Sequence, residues 1–321
     1  VLLLVDGADC VAKSTLVHRL VDAITAREAD GRLDVRHAGP PTSHPLDEYE
    51  TPLLDYRPGT GRHVVCDRWH LGEAVYPAVF GRPTKFDDAV RLHVDLFLRS
   101  RGALVVVVTA RATRVQQCIE ERGDDLVTSD MVHAIQSGFT DALRMSLVPF
   151  VVVNGYEVTD DDVRLIIERA DAEARGAARL NQFTTYVGPA RPATLLLGDV
   201  RHGSDGDPGD LRPAFMPYPA TSGHYALGEV ARRWPITALA GLGIANACDV
   251  DDPVELRAAL GDPVTVTLGR NAQRRLPGMA RELPHPQWVR RFQHRSGDAY
   301  AAMLLGEPIP DVYSQVELTL P

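Results

Sequence analysis

The first twenty residues, VLLLVDGADCVAKSTLVHRL, restrict the fold more than any other stretch of the chain. Val1 to Val5 have the length and branching of a buried strand, and from Ser14 onward Leu16, Val17, Leu20, Val21 and Ile24 recur at helical spacing. Between them lies GADCVAKST. In that order a loop can turn its backbone N–H groups inward, a helix N-terminus adds the positive end of its dipole, and a lysine reaches the outer phosphates of a nucleotide. Lys13 is the candidate lysine, Ser14 the candidate magnesium-ligating hydroxyl, and Gly7 the glycine that opens the loop. The pattern G-x-x-x-x-G-K-S/T has its second glycine replaced by Ala12, whose methyl group would crowd the phosphates or restrict the loop. Two readings stand side by side: a working phosphate site, or a plain strand-loop-helix corner.

After this helix, expected to end near Gly31, the segment HAGPPTSHPLDEYETPLLDYRPGTG reads as loops around a short helix. His63 to Cys66 is a short apolar strand that delivers Asp67, Arg68 and Trp69 at its C-terminal end, the edge where ligands gather in open α/β sheets. A helical pattern over Phe86–Arg99 precedes the almost wholly apolar strand Ala103–Thr109, as expected for a strand covered on both faces. Helices from about Thr113 to Arg122 and through Leu143, a strand over Phe150–Val153 and a helix over Asp160–Ala174 complete a β-then-α alternation.

The rhythm breaks around Glu173 to Pro192, and a second α/β pattern follows. It comprises a strand Thr194–Leu197 ending at Gly198 and Asp199, a Gly/Asp/Pro-rich loop to Pro219, a helix from about Gly223 and an apolar segment Ile236–Ala247. A helix Pro253–Leu260, a strand Val264–Leu268 and helices at Ala272–Leu276 and Gly297–Leu305 end it. The expected fold class is α/β in two domains, each a parallel-sheet three-layer α/β/α sandwich: residues 1–175, a linker 176–192, and residues 193–321. A chain of 321 residues with 45% hydrophobic content has the material for two such cores.

A net charge of -9 argues against general affinity for nucleic acid or anionic membrane, so any DNA binding has to come from a local basic patch. Cys10, Cys66, Cys118 and Cys248 form no CxxC pair and no metal spacing, which points to a reducing cytosol rather than a disulfide framework. No apolar run is long enough for a membrane span, and the opening run is too short and lacks the basic flank of a signal peptide. The chain opens on Val1 instead of Met, so at least one residue is expected to precede it.

VDGADCVAKST resembles the FEGxDGxGKST loop of thymidylate kinases, with Asp6 at the Glu position, Asp9 at the family's Asp, and Lys13, Ser14 and Thr15 retained. VVCDRWHLGEAVYPAVFGR resembles the DR motif region of that family, especially its phage-type relatives, and ARATRVQQCIEERGDD its lid segment. The resemblance spans about Val1 to Ala172. It implies a P-loop kinase using ATP and Mg²⁺, with Gly7, Asp9, Ala12, Lys13, Ser14 and Thr15 binding the nucleotide. Ser14 and Asp67 would bind or orient the metal, Arg68 would grip the acceptor, and Arg114 or Arg122 would neutralise charge on the moving phosphoryl group. For a hydroxyl acceptor Asp67 would instead be the base.

Plainer roles compete. Asp67 and Arg68 would form a structural ion pair, Arg111, Arg114 and Arg122 would coat a solvated helix face, and Trp69 would fill the core rather than stack on a base. Glu73 and Tyr76, one helical turn apart, either line an acceptor pocket or are a surface glutamate beside a packed tyrosine.

In the second half TLLLGDVRHGSDGDP, PAFMPYPATSGHYAL, VTVTLGRNAQRRL and ELPHPQW resemble the uracil-DNA glycosylase superfamily. That resemblance implies a base pocket in which Gly198 and Asp199 begin the water-positioning motif and His285-Pro286 stabilises the leaving base, with Gln287 where serine is usual. His202, His224 and His294 are further candidates. Arg274, Arg275, Arg290, Arg291 and Arg295 make this end locally basic. The leading expectation is phosphoryl transfer to a thymidine-type acceptor, either a free deoxynucleoside monophosphate or a hydroxymethyluracil-type hydroxyl in DNA. The alternatives are a nucleotide- or DNA-binding protein with a decayed kinase site, and a base glycosylase acting through the second half. Expected partners are a nucleotide or thymine-derived substrate, DNA through the second half, and a second copy in a homodimer; no membrane is expected. The cytosol is a host's if the chain is phage-encoded.

Overall fold

A computed structural model describes residues 1–28, 31–123, 127–199, 212–287, 289 and 297–305. It divides into two compact units, Val1–Phe86 with Arg101–Ala178, and Asp87–Ser100 with Arg179–Pro321. Each is built on a parallel sheet flanked by helices, so the chain is an α/β protein with two α/β/α layers.

The sheet of the first unit contains β1 (Leu2–Gly7), β2 (Arg32–His37), β3 (Arg62–Asp67), β4 (Ala103–Thr109) and β5 (Phe150–Asn154), in the order β2-β3-β1-β4-β5. β1 lies at the centre and is buried throughout, which explains its unbroken apolar run. Its register sets Val5 beside Asp67 of β3 and Gly7 beside Val108 of β4, so the chain leaves the sheet between two strand ends. The helices are α1 (Lys13–Arg27), α2 (Pro45–Tyr49), α3 (Gly72–Phe80), α5 (Ala112–Arg122), α6 (Val132–Met145) and α7 (Asp160–Ala178), with α4 (Asp88–Ser100) in the other unit. β2 falls in a stretch with no strand in the sequence reading. RLDVRH alternates two apolar residues with charged ones, as suits a half-exposed edge strand, and its edge position mutes the hydrophobic signal.

The second unit has β6 (Thr194–Gly198), β7 (Leu242–Asn246), β8 (Val264–Leu268) and β9 (Arg281–Leu283), in the order β7-β6-β8-β9. Sequence order places α4 inside the first half, yet it counts with this unit. There it packs on α8 (Ser222–Arg233), and His93 lies 2.7 Å from the Ala214 carbonyl. The apolar segment 236–247 is two elements: a short helix α9 (Ile236–Ala240) stops at Gly241 before β7 begins. The three-residue strand β9 was too short to signal itself. Helices α10 (Pro253–Ala259) and α11 (Arg270–Arg275) follow β7 and β8, and Leu195, Leu197, Ala245, Leu256, Ala272 and Leu276 form much of the core. Among the described residues no helix is long and apolar enough to cross a membrane.

Candidate active site

β1 ends at Gly7, whose backbone has φ 138°; a Cβ there would fall 2.2 Å from the Val108 carbonyl oxygen. Glycine is therefore demanded by the close approach to β4. The loop then turns through two left-handed residues, Cys10 (φ 57°) and Ala12 (φ 64°). Ala12 adopts the conformation the missing glycine would take easily, at a cost of about 1–2 kcal/mol, so the turn itself survives the replacement. Helix α1 starts directly after it with no side-chain cap and no acidic residue in its first turn. Its first amides lack helical acceptors and its dipole is uncompensated, which together favour an anion there.

Lys13 is 6% exposed, and its Nζ donates to the carbonyls of Gly7 (2.9 Å) and Ala8, with Asp9 Oδ1 3.9 Å away. Burial holds its pKa below the ordinary lysine value, against the opposing pull of Asp9. Ser14 and Thr15 are exposed at the helix start. Gly155 follows β5, where a Cβ would lie 1.9 Å from the Val11 carbonyl oxygen, so the loop rests on a bare backbone. Tyr156 then donates its hydroxyl to the Cys10 carbonyl at 2.9 Å.

Asp9 is the junction of the site. Arg68 Nη2 donates to it at 2.6 Å and the Tyr76 hydroxyl at 3.3 Å. Arg68 holds a left-handed backbone (φ 65°), a strained conformation for a side chain of this kind, and this turns the chain at the end of β3. So Arg68 pairs with Asp9 rather than with its neighbour Asp67. Asp67 stands beside His37 in register, 3.2 Å from its Nδ1, while its Oδ1 is buried without a hydrogen-bond partner.

A cavity of about 620 Å³ opens beside Asp9 and Arg68. Tyr49, Trp69, Tyr76 and Phe80 give it aromatic walls, with Tyr76 and Phe80 stacked at 5.9 Å and Trp69 set edge-on to Tyr49 at 5.6 Å. Trp69 is both core and wall. Glu73, buried and bound to Arg82, lines the cavity as well, so it is no surface residue. Asp6 completes the wall: it is 2% exposed, and its two carboxylate oxygens accept from the amides of Gly7 and Trp69, each at 3.2 Å. Burial raises its pKa to about 6, against the lowering effect of His70 and Lys13.

Arg114, Cys118 and Arg122 fall at four-residue spacing along α5 and so share one face. Arg122 lines the cavity, its Nη1 4.0 Å from Cys10 Sγ, whereas Arg114 stands over the Tyr156 ring at 5.2 Å. Arg111 is exposed at the start of the helix. Sequence reasoning gave no role to Asp6, Arg82, Gly155 or Tyr156. The signal for Gly155 was its place directly after an apolar strand; Arg82 carried none.

In the second unit Gly198 and Asp199 stand at the end of β6. Asp199 Oδ1 accepts the Ala272 amide at 2.7 Å, near the start of α11, and a Cβ on Gly269 would fall 2.4 Å from its other oxygen. His285 is partly buried; burial lowers its pKa and the charge of Asp199 raises it, which places the two groups near each other. Two residues without a sequence-derived role join them. A Cβ on Gly198 would meet the Phe215 ring at 2.8 Å and Asn246 Oδ1 at 3.0 Å. His224 is tied to Asp87 at 2.7 Å, Arg275 donates to the Ala247 carbonyl at 2.7 Å, and Arg274 is exposed. His202, His294, Arg290, Arg291 and Arg295 lie outside the described residues.

No protein-family model matches the sequence, and no curated protein matches it. Among solved structures the chain is similar to the YorR protein of Bacillus subtilis, crystallised in complex with phosphorylated GDP. The identity is 17% and the TM-score 0.42, over 55% of this chain and 98% of YorR.

The donor set in the first unit fits ATP and Mg²⁺. The start of α1 is uncapped, Lys13 lies across the loop, and the unpartnered Asp67 oxygen is a hard ligand at the strand edge. Among the described residues no group of three or more metal-ligating side chains occurs.

Proposed function

We propose that the first unit is a Mg²⁺-dependent P-loop phosphoryl transferase that moves the γ-phosphoryl group of ATP onto a thymidine-type acceptor held in the aromatic cavity. The observation that carries this reading is the uncapped start of α1, with Lys13 lying across the loop, next to a cavity walled by Asp9, Arg68 and Arg122. Lys13 would exchange its loop carbonyls for the β- and γ-phosphate oxygens, and the first amides of α1 would bind the same phosphates. Ser14 and Asp67 would hold Mg²⁺, which when bound offsets charge on the β- and γ-phosphates. Arg122, which lines the cavity from α5, would face the transferring group, and Arg68, held by Asp9, would orient the acceptor.

Heating the protein with and without ATP and Mg²⁺ tests the binding step. Nucleotide at a hundred times its dissociation constant stabilises by about 2.7 kcal/mol, so the melting temperature should rise by several degrees. An unchanged melting temperature at millimolar ATP would remove the kinase reading. A rise without transfer of label from γ-labelled ATP to any acceptor would leave a nucleotide-binding protein with a decayed site.

For the second unit the reading is a nucleobase site at the end of β6, supported by Asp199 and His285 lying near each other there. A uracil-containing oligonucleotide should bind more tightly than its thymine counterpart. Release of free uracil, lost in His285→Ala, would make the pocket catalytic; equal binding of both oligonucleotides would refute it.

A further inference from the structure

The cavity beside the phosphate loop is balanced in charge. Its walls carry three guanidinium groups, Arg68, Arg82 and Arg122, and three carboxylates, Asp6, Asp9 and Glu73. Arg68 is held by Asp9 at 2.6 Å and Arg82 by the buried Glu73. Arg122, the third guanidinium, stands 4.0 Å from Cys10 Sγ of the phosphate loop, and Lys13 faces the loop carbonyls, so both cations lie on the donor side. An entering phosphate would compete with Asp9 and Glu73 for these guanidiniums, and drawing Arg82 away would leave Glu73 as a buried unpaired charge, an arrangement proteins avoid. A neutral hydroxyl meets no such obstacle. What a hydroxyl needs is a proton acceptor close to the phosphates.

Of the carboxylates at hand, one is suitably free. Glu73 is bound to Arg82, and Asp9 already takes Arg68 and Tyr76, with Lys13 at 3.9 Å. Asp67 is paired with His37 and is not among the residues lining the cavity. Among the described residues Asp6 accepts two backbone amides, one on each oxygen, which leaves each oxygen a further lone pair, and it immediately precedes the loop glycine Gly7. We infer, on the basis of the phosphoryl-transfer reading above, that the acceptor presents an uncharged hydroxyl rather than a phosphate, as a nucleoside does, and that Asp6 takes its proton. The acceptor oxygen forms a bond to the γ-phosphorus as the bond from that phosphorus to the β,γ-bridging oxygen breaks. The bond's electron pair leaves with ADP, and the hydroxyl proton passes to an Asp6 oxygen and on to solvent. The raised pKa of about 6 matches a base working near neutrality. His70 and Lys13 lie near enough to act on the Asp6 charge, and Tyr49, Cys66 and Tyr76 are the further titratable groups around it.

The test offers γ-labelled ATP and Mg²⁺ to the full chain with each common 2′-deoxynucleoside and, separately, with its 5′-monophosphate. Label should appear in at least one nucleoside, with every monophosphate at least about a hundredfold poorer. Transfer to a monophosphate as fast as to its nucleoside, or to no nucleoside at all, overturns the inference. A nucleotide-induced rise in melting temperature in the same samples shows that the phosphoryl-transfer reading survives that failure. Because ionised Asp6 is the active form, kcat should fall as pH drops through about 6, and a flat profile from pH 5 to 7.5 also overturns the assignment. Asp6→Asn should lower kcat by about a hundredfold or more, lose the acid limb and keep the ATP-induced melting shift. Asp6→Glu should restore part of the rate with the limb displaced, a rescue that a purely structural role would not give. Wild-type kcat in Asp6→Asn would refute the base.

Discussion

Lys13→Met is expected to reduce phosphoryl transfer by about a hundred- to a thousandfold, the loss typical when one preorganised donor to transition-state charge is removed. The fold should persist. The ammonium's close partners are the carbonyls of Gly7 and Ala8 in the loop itself, and a buried cation is replaced by an apolar chain of similar length. The decisive comparison is the rate of label transfer beside the melting temperature without nucleotide. Full activity in the mutant would show that the loop is no phosphate site, whereas loss of activity together with unfolding would make the lysine structural.

Gly155→Ala is expected to damage the same site from the opposite side. The added carbon would sit 1.9 Å from the Val11 carbonyl oxygen and 2.6 Å from Val108 Cγ1. The Gly155 amide is held by the Thr109 carbonyl at 2.9 Å, so the backbone cannot move away without losing that bond. Relief has to come from the loop. Overpacking of this kind costs about 1–3 kcal/mol, and displacement of Val11 should weaken ATP binding by about tenfold or more. Gly176→Ala is the matched control: it lies in α7 with open space around its Cβ position, and alanine favours a helix by up to about 1 kcal/mol. Unchanged ATP affinity in Gly155→Ala would mean that the loop has no fixed shape to lose.

The candidate site was legible in part. Lys13, Ser14 and the loop stood out because strand, loop and helix are local patterns, and Ala12 could be marked as a departure while its left-handed conformation could not be foreseen. Arg68 and Asp67 are adjacent in sequence and were weighed as one ion pair. In the structure Arg68 crosses to Asp9, 59 residues away in sequence, and Asp67 turns to His37. Glu73 stood open between an acceptor pocket and the surface because helical spacing gives no partner, and Arg82, its partner, lies beyond the end of the helix.

Local periodicity by itself determined that this chain is α/β and that β1 and β4 are buried strands, because both are written in runs of neighbouring residues. The tertiary structure alone decided three things. Edge strand β2 exists because β3 offers it hydrogen bonds, and α4 joins the second unit because α8 provides a surface for its apolar face. Asp6, rather than Asp67, faces the cavity. That choice depends on strand register and on the left-handed turn at Arg68, long-range geometry that residue spacing along the chain does not encode.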